Sequence, residues 1–394
     1  MEGLKEIFRE YYDDFIHEYF QNKLLLIQQD SPTVFKDILQ ESDIEDYLEN
    51  VELRFPEAKL VRNAETTDQR DYTYPNGVIR KNVFFEKFLE GSTIALSGLH
   101  KSISKLAKLV RSLETETGHP CQTNIYLTPP NSQGFKIHYD SHDVIILQIG
   151  GKKNWKIFDD PILKWPHHEQ PFEAENHQSG KLIKDFDLKT GDTLYIPRGV
   201  WHSAEATDDY SLHVTIGIMG VTWGDLIQRY VKDQTMKNAA LREYVPFDLM
   251  NGKPETLAKA LFKKSKVALN NQFVEDFSTQ YQASNLQQFQ KPTVSNFIMH
   301  AREYQNIKID TLLSRTCNLK YSINIDENDS DTLVIKVGGQ EINLPEFTRE
   351  IVEFILSSNG SFSVKDLPDT VDDDGKVNLC IPFVKKGVLR INKI

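Results

Sequence analysis

Between about residue 121 and residue 220, short apolar runs alternate with turn signals at roughly the 8–12-residue spacing of an all-β sandwich or barrel. The runs are 123–128, 135–140, 143–149, 153–158, 192–196 and 211–218. The turns include Pro129-Pro130-Asn131, Gly150-Gly151, Thr190-Gly191-Asp192 and Pro197-Arg198-Gly199.

The flanks have another texture. Residues 4–22 put Leu4, Ile7, Phe8, Tyr11, Phe15 and Tyr19 at helical spacing, and residues 34–48 read as a second helix. A third, KSISKLAKLVRSLETE over 101–116, carries Ile103, Leu106, Leu109, Val110 and Leu113 on one stripe. From about 222 to 305 the chain is helical again, clearest in WGDLIQRYVKDQTMKNAALREYV, with breaks at Pro246 and Pro254. This block is only modestly apolar, as expected of a surface packed onto another domain or a second subunit. In the last stretch YSINIDENDSDTLVIKVGGQEINLP reads as a strand hairpin, PEFTREIVEFILSSNG as a helix and 386–392 as a final strand. That combination suggests a small winged-helix module. The chain is thus α+β in three parts: 1–220, 221–305 and 306–394.

Bulk chemistry narrows the function. A net charge of −11 argues against a general nucleic-acid binder. The last part, from Glu346 onward, is nearly balanced with eight acids and seven bases, which favours a protein-contacting role over duplex DNA. Cys121, Cys317 and Cys380 lie far apart and form neither a disulfide framework nor a zinc motif. No run approaches the ~18 apolar residues of a membrane helix. The charged start MEGLKEIFREYYDDFIHEYF has no signal-peptide core, so a cytoplasmic location is expected.

The chemistry concentrates in GFKIHYDSHDVIILQIGGKKNW, residues 134–155. With 11 histidines, about one His-x-Asp arises by chance, and His167-x-Glu169 supplies a second His-x-acid pattern. Context separates them. FKIHYD reads as a strand, on which His138 and Asp140 share a face and converge on one ion. LKWPHHEQPF, bracketed by Pro166 and Pro171, reads as a loop. GDTLYIPRGVWHSAEA then offers His202 after a Pro/Gly turn. Two histidines and a carboxylate make a facial triad suited to non-haem Fe(II), with positions left for a bidentate co-substrate and for dioxygen. The competing reading, that these are hydrogen-bonded core histidines, weakens once the distal histidine accompanies the His-x-Asp pair.

After Gly150-Gly151, Lys153, Trp155 and Ile157 alternate with Lys152, Asn154, Lys156 and Phe158, and the first set should face inward. An inward lysine is costly unless it meets an anion, which a co-substrate carboxylate supplies; snorkelling to solvent is the alternative. In SLHVTIGI, residues 211–218, Leu212, Val214, Ile216 and Ile218 take one face. His213, Thr215 and Gly217 take the other, as a cavity wall. Thr215 is a candidate co-substrate contact, and His213 a cavity residue rather than the third ligand.

TNIYLTPPNSQGFKIHYDSHDVIILQIGGKKNWKIF, with GDTLYIPRGVWHSAEA and SLHVTIG, resembles the JmjC-type ribosomal oxygenases of the cupin superfamily. The motifs cover about 100 residues, and the order of parts follows the family along nearly the whole chain. The resemblance implies a double-stranded β-helix (cupin/JmjC) barrel with N-terminal helices, a helical dimerisation block and a C-terminal winged helix. It implies Fe(II) and 2-oxoglutarate as cofactors, a homodimer, and hydroxylation of a protein side chain, a His or Arg of a ribosomal protein. Residue by residue, His138, Asp140 and His202 match the iron ligands. Lys153 matches the partner of the distal 2-oxoglutarate carboxylate, and Asn124 a residue near its other carboxylate. Tyr126 falls at a substrate-pocket position. Gly217 stands where some relatives have Ser. The alternatives are a JmjC-type hydroxylase of another peptide or a small metabolite, a lysine demethylase, and a non-catalytic ligand-binding cupin.

Overall fold

A computed structural model describes residues 3–392 apart from 30, 63–64, 160–162, 171, 174–178, 269–273, 276, 279–280, 282–300, 317–320, 327–328, 338–339 and 359. The contacts divide the chain into two units, Met1–Thr222 and Trp223–Ile394. Among the described residues no helix is long and apolar enough to cross a membrane.

The first unit contains eleven strands among its described residues: β1 Leu25–Ile27, β2 Ala58–Arg62, β3 Glu65–Thr66, β4 Thr93–Ser97, β5 Cys121–Thr128, β6 Ser132–Gln133, β7 Asp143–Phe158, β8 Leu182–Lys189, β9 Thr193–Ile196, β10 His202–Ala206 and β11 Ser211–Ile218. One sheet runs β1-β9-β7-β11-β5-β4-β2-β3. The other is built on the second half of β7, which β8 and β10 flank, with β6 beyond β10. Thus β7 belongs to both sheets.

Here the structure departs from the sequence reading. Gly150-Gly151 is not a turn between two strands; it lies inside the single 16-residue β7. A β-bulge sits there: Leu212 of β11 faces Gly150 while His213 faces Gln148. The extra residue reverses the inward parity. Before the bulge Val144 and Ile146 face the barrel interior; after it Lys153 and Trp155 do. Gly151 has φ +64, and a Cβ there would lie 1.9 Å from the Tyr210 carbonyl oxygen, so the bend needs glycine.

The outer face of the large sheet packs on helices. Ile145 and Leu147 of β7, with Val214 and Ile216 of β11, join one core with Leu106, Leu109 and Leu113 of the helix Ser104–Thr117. Leu4, Ile7, Phe8 and Phe15 of the N-terminal segment complete it. That segment is not one regular helix. It winds as α over Gly3–Phe8 and reaches Tyr19 through 3-10, short α and π turns. Of the expected helix 34–48, only the part from Glu41 onward is helical, as Glu41–Asn50. The spacing was right, but the first residues take turns before a Gln40–Asp43 capping box starts the helix.

In the second unit, the helix Trp223–Lys237 and the helix Pro254–Ala268 stand where the periodicity placed helical text. Strands follow: β12 Leu312–Arg315, β13 Tyr321–Ile325, β14 Thr332–Val337, β15 Gln340–Pro345, β16 Ser361–Ser363 and β17 Leu389–Ile391. The expected hairpin is a three-stranded meander, β13-β14-β15, because QEINLP pairs back on β14. A second sheet, β16-β12-β17, shares one apolar core with the helices Arg349–Ser357 and Asp373–Lys385. Cys121 and Cys380 are buried free thiols, and Cys317 lies outside the described residues.

Candidate metal and co-substrate site

The interior of the first unit holds a cavity of about 210 Å³. His138, Asp140, Lys153, Trp155, His202, Tyr126, His213 and Thr215 all contribute to its wall. Strands β4, β5, β7, β10 and β11 supply its wall, with irregular chain around His138. Tyr126 of β5 lies opposite His213 of β11, and His202 of β10 lies opposite Ile157 of β7.

The segment 135–140 is not a regular strand, contrary to the reading of FKIHYD. His138 makes only a single antiparallel bridge, to His202, and Asp140 follows in irregular chain. Long-range pairing, not strand alternation, therefore brings the two together. Asp140 is held in turn by the Gly199 N–H, which donates to its carbonyl oxygen at 2.9 Å.

One donor atom from each of His138, Asp140 and His202 lies within 4.8 Å of the others. His202 Nε2 stands 3.7 Å from Asp140 Oδ2. Both rings are oriented by their other nitrogen: His138 Nδ1 bonds the Lys136 carbonyl at 2.8 Å, and His202 Nδ1 the Val200 carbonyl at 3.0 Å. An Nδ1–H tied to a backbone carbonyl leaves Nε2 as the free lone pair. Burial, followed by the neighbouring His138, pushes His202 down to about 4, so its ring is neutral. Burial opposes the Asp140 carboxylate, but His138, His202 and His142 outweigh it and hold its pKa below the usual value. Two imidazoles and one carboxylate could hold a divalent ion. His167 and Glu169 lie in a loop, 3.8 Å apart.

Lys153 points inward as the alternation predicted and is 4% exposed. Its Nζ donates to Thr128 Oγ1 at 3.1 Å, and Thr128 Oγ1 lies 3.1 Å from Thr93 Oγ1. Among the described residues no acid pairs with it, and burial lowers its pKa to about 7. A buried cation met only by hydroxyls suits an anionic ligand. Thr128 and Thr93 were missed in the sequence; Thr128 shares the β5 face of Asn124 and Tyr126, which is the signal that could have found it. Asn124 pairs with Thr215 across the strands, but it is not among the cavity-lining residues.

His138 and Phe135 also border a larger groove of about 810 Å³. Phe158, Phe172 and Trp201 make its apolar wall, and Lys136 and the Lys156–Glu205 ion pair its polar one. Tyr126 belongs to the inner cavity, stacked on His213, and not to this groove.

The antiparallel barrel with a His-x-Asp…His donor set inside it has a cupin-like fold. Residues 99–226 match the model of the JmjC domain. The chain is 27% identical over 421 aligned residues to the Dictyostelium discoideum bifunctional lysine-specific demethylase and histidyl-hydroxylase NO66, covering 97% of this chain and 80% of that protein. It is 26% identical to human ribosomal oxygenase 1, covering 61% of this chain and 38% of the relative's length. Among solved structures, it is similar to the Escherichia coli ribosomal oxygenase YcfD in complex with cobalt and 2-oxoglutarate. The TM-score is 0.54 at 14% identity, over 98% of this chain and 99% of that one.

Proposed function

We propose that this chain is an Fe(II)- and 2-oxoglutarate-dependent oxygenase that hydroxylates a side chain of a protein, a histidine or arginine of a ribosomal protein. One observation carries the reading: the three-donor set and the buried Lys153, which has no acid partner among the described residues, share a 210 Å³ cavity. His138 and His202 would hold the metal through Nε2, and Asp140 through a carboxylate oxygen. Lys153 would meet the far carboxylate of the co-substrate, with Thr215 and Asn124 toward the metal end. Iron and 2-oxoglutarate bound together supply the oxidising power that places one atom of dioxygen on an unactivated C–H bond, with succinate and carbon dioxide as co-products.

The residues of the chain position and enclose. Val144, Ile146 and Trp155 give the inner cavity an apolar lining that excludes water from the donor set. His138 separates the inner cavity from the outer groove, so a peptide lying against Phe158, Phe172 and Trp201 presents a side chain to the metal face. Tyr126, in the inner cavity, packs edge-on against Phe135, which borders both spaces. The names of the similar proteins, ribosomal oxygenase and histidyl-hydroxylase, support a ribosomal target. The second unit is read as a dimerisation block over 221–305 and a winged-helix module over 306–394. Trp223 at 81%, Tyr244 at 98% and Phe247 at 88% exposure are large apolar side chains that a second copy would cover.

The test is Asp140→Ala. Substrate-stimulated release of succinate should vanish, and its survival would overturn the ligand assignment. Ribosomal proteins from cells with and without the chain should differ by one oxygen on one peptide. A demethylated lysine peptide instead would favour the demethylase alternative.

A further inference from the structure

We infer that Gln21 is a positioning residue for the metal donors: from the N-terminal segment it fixes the turn Pro197-Arg198-Gly199, on which the placement of both Asp140 and His202 depends. The inference rests on the metal reading above and extends it to a residue outside the donor set.

The turn is a shared support for two donors. The Val200 N–H donates to the Pro197 carbonyl at 3.3 Å and closes it. The Gly199 N–H holds the Asp140 carbonyl at 2.9 Å, and the Val200 carbonyl accepts from His202 Nδ1 at 3.0 Å. A shift of the turn therefore displaces the Asp140 backbone and re-aims the His202 ring together.

Gln21 grips this turn through three polar atoms. Its Oε1 accepts from Arg198 Nη2 at 3.2 Å. Its N–H donates at 2.7 Å to the hydroxyl of Tyr195, two residues before the turn, and that hydroxyl donates on to Asp143 Oδ1 at 2.5 Å. Its carbonyl accepts from Trp165 Nε1 at 2.6 Å. Arg198 Nε is buried without a partner among the described residues, which leaves the bond to Gln21 to orient the guanidinium.

The backbone of Gln21 carries the mark of this task. Its φ is +63, in the left-handed region that a residue with a Cβ rarely adopts. Trp165, its partner, is left-handed as well, at φ +56. Such conformations persist where surrounding contacts over-determine them, and they gather at functional sites. Here the contacts converge on the turn. A Cβ at Gly199 would meet the Leu163 carbonyl oxygen at 2.6 Å and Pro166 Cδ at 2.8 Å. The Trp165 loop thus packs against the turn at Gly199, while Arg198 reaches out to Gln21.

The experiment uses the full chain and two metal probes. Mn(II) affinity is read by competition with a chelator, and the visible absorption of bound Co(II) reports the donor geometry. Gln21→Gly accepts the left-handed backbone at no steric cost and removes the side-chain acceptor. Its melting temperature without metal should stay within a few degrees of wild type. Its Mn(II) affinity should drop roughly fivefold or more, and its Co(II) bands should shift. Gln21→Glu, which keeps an acceptor for Arg198, should recover both. A merely structural role would move the melting temperature and leave both metal readouts alone. Unchanged Mn(II) affinity and an unchanged Co(II) spectrum in Gln21→Gly would overturn the proposal and leave the metal reading standing. If the wild type binds neither ion, the metal reading falls and this proposal with it. Should Gln21→Gly not fold, Gln21→Asn decides, because asparagine also tolerates the left-handed backbone but is one methylene shorter toward Arg198. Wild-type metal affinity in that variant overturns the proposal, and a loss that Gln21→Glu does not share supports it.

Discussion

His138 and His202 are stapled backbone to backbone. The His138 N–H donates to the His202 carbonyl at 3.0 Å, and the His202 N–H donates to the His138 carbonyl at 2.8 Å. An irregular segment and the first residue of β10 are thereby held at one spacing, and the ring centroids stand 4.4 Å apart. The third donor hangs from the same frame through Gly199.

Gly199 is the weak point of that frame. Its φ is +85, and a Cβ there would lie 2.6 Å from the Leu163 carbonyl oxygen. Gly199→Ala must therefore shift the turn and its bond to the Asp140 carbonyl. Metal affinity, measured by competition with a chelator, should fall roughly 10–100-fold although all three donor residues remain. Unchanged affinity would show that the turn does not position the donors.

Lys153 should write itself into the pH dependence. Unfolded, it keeps its proton to about pH 10.5; folded and empty, to about 7. Between those values the unfolded chain binds the extra proton, so the contribution of this residue to stability rises with pH across the window, and its penalty is full below 7. Lys153→Met removes the effect. The melting temperature of wild type relative to this variant should climb from pH 7 toward 10. A carboxylate beside Lys153 restores its charge, so ligand binding above pH 7 should take up a proton and weaken by up to about tenfold per pH unit. Titration in buffers of different ionisation enthalpy reads that proton directly.

Gly217 and His142 are coupled by space. A Cβ at Gly217 would lie 2.7 Å from His142 Cδ2. Gly217→Ser should therefore displace the ring at a cost of about 1–3 kcal/mol. His142→Ala should make the serine tolerable. The double variant should melt closer to wild type than the sum of the single effects implies, with a coupling of about 0.5–3 kcal/mol. Additive melting shifts would refute the contact.

Tyr195→Phe tests what fastens the N-terminal segment to the barrel. The Tyr195 hydroxyl donates to Asp143 Oδ1 at 2.5 Å and accepts from the Gln21 N–H at 2.7 Å. Its removal leaves a buried carboxyl and an N–H without their partner. A loss of about 1–3 kcal/mol, seen as a melting shift of several degrees, is expected. A shift below one degree, on the order of experimental scatter, would mean that water replaces the hydroxyl.

Much of the site was legible in local pattern. Alternation alone turned Lys153 inward and put His213 and Thr215 on the cavity face of β11, because side-chain direction along a strand depends only on parity. Turn chemistry before His202 pointed to the third donor, since Pro197 and Gly199 impose backbone angles wherever they stand. The same local logic overreached at FKIHYD and at Gly150-Gly151. There the chain could run as strand, turn or coil at similar local cost, and partners far away in sequence chose: His202 for the first, β11 for the second. Only tertiary structure could show that a bulge reverses the parity of β7, so that Val144 and Lys153 line one cavity. It alone placed Thr128 under the lysine and the His213 ring against Tyr126. The sequence determined which residues could face inward; pairing between distant segments decided which of them meet.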